Sequence, residues 1–323
     1  MRRSGFNVMA RLVGLVKPLT GFMVLAVAMG LLGHLCAAFI TIFAGVALLH
    51  LDSPWPFFAG AAVFALVRGF LRYGEQRCNH FIAFKLLALL RDRVFSALRR
   101  LCPAKLEGRD KGDLIALITS DIELLEVFYA HTISPIAIAA LFSGVMTCFI
   151  GSFHPLLGLL ALVAYGTVGV AIPMLTAKLG GDDGLRFRHR SGELSAFVLD
   201  SIRGLPEIIQ FGCAEARLAG MNARSDDLAA DEARMKHTAG INQAATNAAI
   251  LMFDIAMLFA SAALCGFEGC VLATLAMMSS FGPTVALAAL GAHLAEYIRS
   301  RKPGAGYSRR TCRSGGDQRH GGN

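Results

Sequence analysis

The apolar positions of this chain fall into six long runs, grouped in pairs, and the basic positions fall between the pairs. No lysine or arginine occurs between Lys17 and Arg68, between Lys111 and Lys178, or between Lys236 and Arg299. Each of these gaps holds two apolar runs: Leu19–Leu49 and a run beginning near Phe57, then Glu126–Ile150 and a return to Leu179, then Ile241–Cys265 and Cys270–Leu294. The two runs of a pair are parted by a short uncharged or acidic turn. Lysine and arginine concentrate in the cytoplasmic loops of membrane helices, so the basic blocks mark the inner face and the short turns the outer one. The pattern predicts an all-α membrane protein of six transmembrane helices in the cytoplasmic membrane, with both termini cytoplasmic.

Helical character does not stop where the second run should leave the membrane. From Arg68 to Leu101 the chain lacks proline, has only Gly69 and Gly74, and alternates charged residues with Leu, Phe and Ile at helical spacing. A helix of about 45 residues would be about 65 Å long, twice the hydrocarbon thickness. The charged segment from Asp182 to Lys236 is likewise compatible with helix, with a break around Gly204 and Pro206. Two long hairpins are therefore expected to extend inward, while the outer turns at His50–Pro56, Gly151–Pro155 and Gly266–Gly269 stay short. Trp55 in the first of these suits an interface anchor. Residues 1–18 read as a basic interfacial elbow helix broken from the first span at Pro18. Residues 19–295 form the six-helix membrane domain, and the Arg-, Gly- and Ser-rich residues 296–323 read as a disordered tail.

Composition narrows the function. The 323 residues are 55% hydrophobic and 17% charged, more apolar than a soluble core of this size requires. The net charge of +8 sits beside apolar spans, which favours anionic membrane lipids over nucleic acid as its partner. Eight cysteines occur without a CxxC pair, so there is no zinc or redox signature. Cys265 and Cys270 flank an outer turn, either as apolar fillers or as a disulfide. No serine–histidine–acid arrangement, metal-ligand cluster or paired carboxylate is evident. Nor is there a G-x-x-x-x-G-K-[ST] phosphate loop, so the chain is not expected to be an enzyme, and any ATP would act through another domain.

A few polar residues stand out against the apolar background. Arg68, Arg72, Glu75 and Asn79 follow helical steps and share one face. They either line a cavity that holds a carboxylate-bearing cargo, or are snorkelling arginines with an Arg72–Glu75 pair. Asp254 lies in the middle of a run of Leu, Met, Phe and Ala, where a carboxylate is costly. It is either a substrate or proton site facing a cavity, or an interhelical contact with a partner such as Asn247. His34 in the first span is a weaker case of the same kind.

Long inward hairpins with short outer turns resemble the membrane half of an ABC exporter. Several motifs sharpen the likeness: Arg68-x-x-x-Arg72-Tyr73-x-Glu75-x-x-x-x-His80, Lys111-Gly112-Asp113-Leu114 with Ser120-Asp121, Phe128-Tyr129-x-x-x-Ile133-Ser134-Pro135, and Arg203-Gly204-x-x-Glu207-Ile208-x-x-Phe211-Gly212. In this order they resemble the CydC subunit of the CydDC family, over roughly residues 10 to 295. The resemblance implies the ABC exporter type 1 (type IV) transmembrane fold. It implies coupling tips at Asp113, Leu114 and Asp121 on one hairpin and at Glu207 and Phe211 on the other, where ordinary turn chemistry is the alternative. It implies a substrate cavity drawing on Arg68, Arg72, Glu75, His80 and Asp254, with His80 matching a histidine associated with haem. Gln76 and His131 depart from the arginines of that pattern. A CydD-like second subunit, or a second copy, would complete a twelve-helix pore, ATPase domains would drive it, and the cargo would be cysteine, glutathione or haem in support of cytochrome bd assembly. Family members continue the sixth span toward an ATPase domain, so a frameshift that shortened a longer subunit is expected here. The rival expectations are a membrane-anchored protein that binds haem or a partner without moving anything, and a nonfunctional fragment.

Overall fold

The computed structural model describes residues 19–101, 133–179 and 183–288. All regular structure among them is helical: α1 Thr20–Leu49, α2 Trp55–Leu101, α3 Ser134–Gly151, α4 Pro155–Gly166, a π-helical segment Thr167–Ala171, α5 Ile172–Leu179, α6 Asp183–Arg203, α7 Leu205–Gln210, α8 Ala214–Leu264 and α9 Phe267–Ser280. Six helical stretches are long and apolar enough to cross a membrane. This is the expected result for a chain rich in Leu, Ala, Val and Phe: in lipid a backbone must satisfy its own hydrogen bonds, and a helix does so within one segment.

The chain divides into two compact units. The described part of the first holds residues 19–101, 133–179 and 236–288. Its core is built from Ile42 of α1, Phe142, Met146 and Ile150 of α3, Leu157, Ala161 and Tyr165 of α4, Met257 of α8 and Ala276 and Met277 of α9, all buried. α1 lies along α2, and α3 pairs with α4. α2 runs 47 residues without interruption, on the order of 70 Å, so no bilayer core can contain all of it. The α3–α4 turn is tight because His154 caps α4, its Nδ1 accepting from the Leu156 amide at 3.3 Å, and Pro155 opens the helix with its φ already set. Just past that turn, Gly158 approaches the backbone of Gly151 so closely that a Cβ there would lie 2.8 Å from the Gly151 Cα.

Details differ from expectation. The fourth span is not a plain α-helix, because Thr167–Ala171 widens into a π turn. The sixth is interrupted at Phe281 before a further helical stretch over 282–288; Pro283 cannot donate to the preceding turn, which ends α9 there. Cys265 and Cys270 are both free thiols. Cys270 Sγ accepts from Ser261 Oγ at 3.4 Å and points its own weak donor at the Leu258 carbonyl, so the disulfide alternative is not realised. Residues 126–132, the elbow at 1–18 and the tail at 296–323 lie outside the described residues.

The second unit comprises residues 183–235 among those described: α6, the short α7, and the first part of α8. Its break falls at Gly204 and again at Phe211–Cys213, while Pro206 sits inside the first turn of α7. α7 ends with Gly212 at φ +66°. The Gly212 amide donates to Ile209 and the Cys213 amide to Ile208, the paired bonds of a left-handed glycine stop.

Candidate cargo site and coupling tip

Arg72 Nη1 donates to Glu75 Oε2 at 2.7 Å along one turn of α2. Glu75 is only 5% exposed, whereas Arg68 and Arg72 are exposed. The glutamate is buried because its carboxyl lies against Gly30 of α1, where a Cβ would come within 3.1 Å of the Glu75 Cδ and would also meet Ile138 of α3. One turn further along α1, the His34 ring packs edge-on against Phe142 at 5.9 Å. The structure thus brings Arg72 and Glu75 together in an ion pair. Among the described residues Arg68 has no ion pair, leaving one uncompensated cation beside the pair.

His80 is exposed two turns beyond Arg72, its ring stacked over Phe84 with centroids 6.2 Å apart. An exposed imidazole has a nitrogen open to an incoming iron, so the residue fits a single axial ligand. Among the described residues no cluster of three or more His, Cys, Asp or Glu side chains forms a metal site. Asp254 is half-buried on α8, and its Oδ1 atom is buried with no hydrogen-bond partner among the described residues. Asn247 does not supply one: its carbonyl oxygen accepts from Gln243 at 3.0 Å.

In the second unit, Leu205 and Ile209 of α7 and Phe211 at its C-cap are exposed at 51%, 69% and 73%. Glu207 is exposed on the same short helix, and its carbonyl accepts from the Phe211 amide at 2.9 Å. Leu205 and Ile209 on this six-residue helix and Phe211 at its C-cap form a compact exposed apolar knob between Gly204 and Gly212. Asp113, Leu114 and Asp121 lie outside the described residues.

Sequence reasoning missed the bracing of this knob. Phe197 on α6 lies under the guanidinium groups of Arg217 and Arg224 on α8, at 3.8 and 4.0 Å from the ring centroid. Asp231 is fully buried between Arg190 of α6 and Arg234 of its own helix. The signal was present only as charge alternation, which reads equally well as a solvated helix face.

Residues 19–269 match the ABC transporter transmembrane region family. A probable ABC transporter ATP-binding/permease protein of Haemophilus influenzae is 42% identical over 311 residues, covering 93% of this chain and 56% of that protein. The glutathione/L-cysteine transport system ATP-binding/permease protein CydC of Escherichia coli is 29% identical over 164 residues, 49% of this chain and 27% of that protein. The corresponding CydD of Escherichia coli is 24% identical over 165 residues, 50% of this chain and 27% of that protein. The chain therefore spans about half the length of the first of these relatives and about a quarter of the other two. Six apolar helices, an exposed apolar tip and a match over most of the length lead to one conclusion: this is a multi-pass membrane protein that belongs to the ABC transporter transmembrane region family.

Proposed function

We propose that this chain is the permease part of a CydC-like ABC exporter, moving a small thiol such as cysteine or glutathione, or haem, across the cytoplasmic membrane in support of cytochrome bd assembly. Residues 19–295 form its membrane domain, with 1–18 an elbow on the inner leaflet and 296–323 a tail. ATPase domains outside this sequence drive the cycle, and a CydD-like subunit or a second copy completes the pore. Both termini and α7 face the cytoplasm in this reading, which the distribution of Lys and Arg supports.

The observation that carries this reading is α7. A soluble surface gains nothing from displaying Leu205, Ile209 and Phe211 together, whereas a groove on an ATPase domain would bury all three. Support for the cargo class comes from α2 and from the glutathione/L-cysteine transport named for the CydC and CydD relatives. Arg68 and Arg72 against a single Glu75 leave a net positive patch that suits the carboxylates of an amino acid, a tripeptide or the haem propionates. If haem is the cargo, His80 would hold its iron, and haem would supply the colour by which binding is read.

The test is flux of labelled cysteine or glutathione into inverted proteoliposomes holding the full chain and a CydD-like ATPase-bearing subunit. Uptake that requires both ATP and the second subunit is expected. Uptake that never appears although the two chains co-purify would overturn the transport reading. A Soret band lost in His80→Ala without any flux would instead identify a haem-holding protein.

A further inference from the structure

α7 is joined to its neighbours by glycine on both sides: Gly204 before it and Gly212, at φ +66°, after it. Glycine is the residue least able to hold a fixed angle by itself. A docking knob on two such joints would swing, and a push on it would not pass into the helices behind. The structure contains a brace for this joint, and one residue makes most of it.

Arg217 lies one turn into α8, opposite the end of α6. Its Nε donates to Ser201 Oγ at 2.7 Å, and its Nη2 to the Asp200 carboxylate and, at 3.4 Å, to the Phe197 carbonyl. Its guanidinium plane also rests over the Phe197 ring. Ring and helix come this close because residue 220 is glycine, where a Cβ would lie 3.3 Å from Phe197 Cζ. Asp200 serves a second purpose: its carbonyl accepts the Gly204 amide at 2.9 Å, the bond from which the tip begins. Arg217 therefore grips the same residue on which α7 hinges. It uses a fork of donors and a flat cationic face together, which lysine cannot reproduce.

We propose that Arg217 is the positioning residue of the coupling tip, locking α6, α7 and the start of α8 into one piece so that movement of α7 is passed on rather than lost at Gly204 and Gly212. The inference rests on α7 being a docking tip, but its structural content can be measured without any ATPase. Hydrogen–deuterium exchange of the full chain in lipid nanodiscs should show amides 200–213 exchanging roughly tenfold faster in Arg217→Ala, with the spanning helices unchanged. Arg217→Lys should behave nearly as Arg217→Ala, and Asp200→Asn, which weakens the grip but keeps its shape, should fall between. Unchanged exchange at 200–213 in Arg217→Lys and Asp200→Asn would overturn the proposal. In vesicles with the ATPase-bearing subunit, Arg217→Lys should hydrolyse more ATP per molecule of cargo moved, a ratio that mere loss of folded protein does not change. An unaltered ratio would likewise overturn it. Absence of flux in the unmodified chain would count against the transport reading alone, and the exchange result would stand.

Discussion

The carboxylate of Asp231 on α8, which is fully buried, meets the guanidinium of Arg190 on α6 at 3.1 Å. Arg234, three residues on from Asp231, closes on its other oxygen. The partners are unequal, for Asp231 has no route to water, whereas the Arg190 side chain is 39% exposed. Removing the arginine strands a buried charge, while removing the carboxylate leaves a cation that water can solvate. Arg190→Ala should destabilise the 183–235 unit by about 3 kcal/mol, softened by the remaining Arg234. Asp231→Asn should cost only about 1–2 kcal/mol. Denaturant dependence of amide exchange within α6 reads both, and equal costs would show that the burial of Asp231 is not what matters.

The α3–α4 hairpin gives a second asymmetry. A methyl group at Gly158 would stand 2.8 Å from the Gly151 Cα and 3.1 Å from the Thr147 carbonyl oxygen. Both are backbone atoms, which cannot swing aside as a side chain can. A methyl group at Gly151 would meet only the Gly158 Cα at 3.5 Å, an ordinary contact. Gly158→Ala should therefore lose about 1–3 kcal/mol, and Gly151→Ala should be nearly neutral. Thermal unfolding in detergent micelles compares the two directly.

The six spans were legible because membrane burial imposes a coarse rule, long apolar runs with basic ends, which needs no knowledge of tertiary contacts. The continuous α2 followed from the same source, since nothing between Arg68 and Leu101 breaks a helix. The tip was legible through Gly204, Pro206 and Gly212, whose backbone chemistry is local. The π turn at Thr167–Ala171 was not, because its sequence is as apolar as its surroundings, and the neighbour it meets, Thr284 beside Gly169, is more than a hundred positions away. The burial of Glu75 was hidden for a similar reason. Its spacing to Arg72 announced the pair, but the space for it comes from Gly30, forty-five positions away on α1. Long-range pairs such as Arg190 with Asp231 leave no trace in periodicity at all.

Arg68 and Arg72 separate cargo binding from structure. Arg72→Ala would leave the buried Glu75 without its partner and should cost about 1–3 kcal/mol of stability as well as flux. Arg68 is exposed and carries no ion pair among the described residues, so Arg68→Ala should leave stability within about 0.5 kcal/mol. If the patch holds a carboxylate, Arg68→Ala should nonetheless raise the concentration of glutathione needed for half-maximal flux. An unaltered concentration dependence would return both arginines to the snorkelling role, and melting curves beside uptake curves decide it.

Asp254 offers the clearest opposition of function and stability. Its Oδ1 is buried without a hydrogen-bond partner among the described residues, one turn before the fully buried Met257. A carboxylate at the centre of a spanning helix costs about 2.5–3.5 kcal/mol on insertion scales. Asparagine keeps its shape and removes the charge, so Asp254→Asn should stabilise the chain, raising its melting temperature in micelles. A residue kept at such a cost for packing alone would be replaced without loss of transport. If Asp254 instead meets a cargo ammonium group or a proton during the cycle, Asp254→Asn should reduce cysteine flux by tenfold or more, roughly the loss of one charge-assisted bond. A more stable protein that transports less would place Asp254 on the cargo path, and a more stable protein with normal flux would remove it from that path.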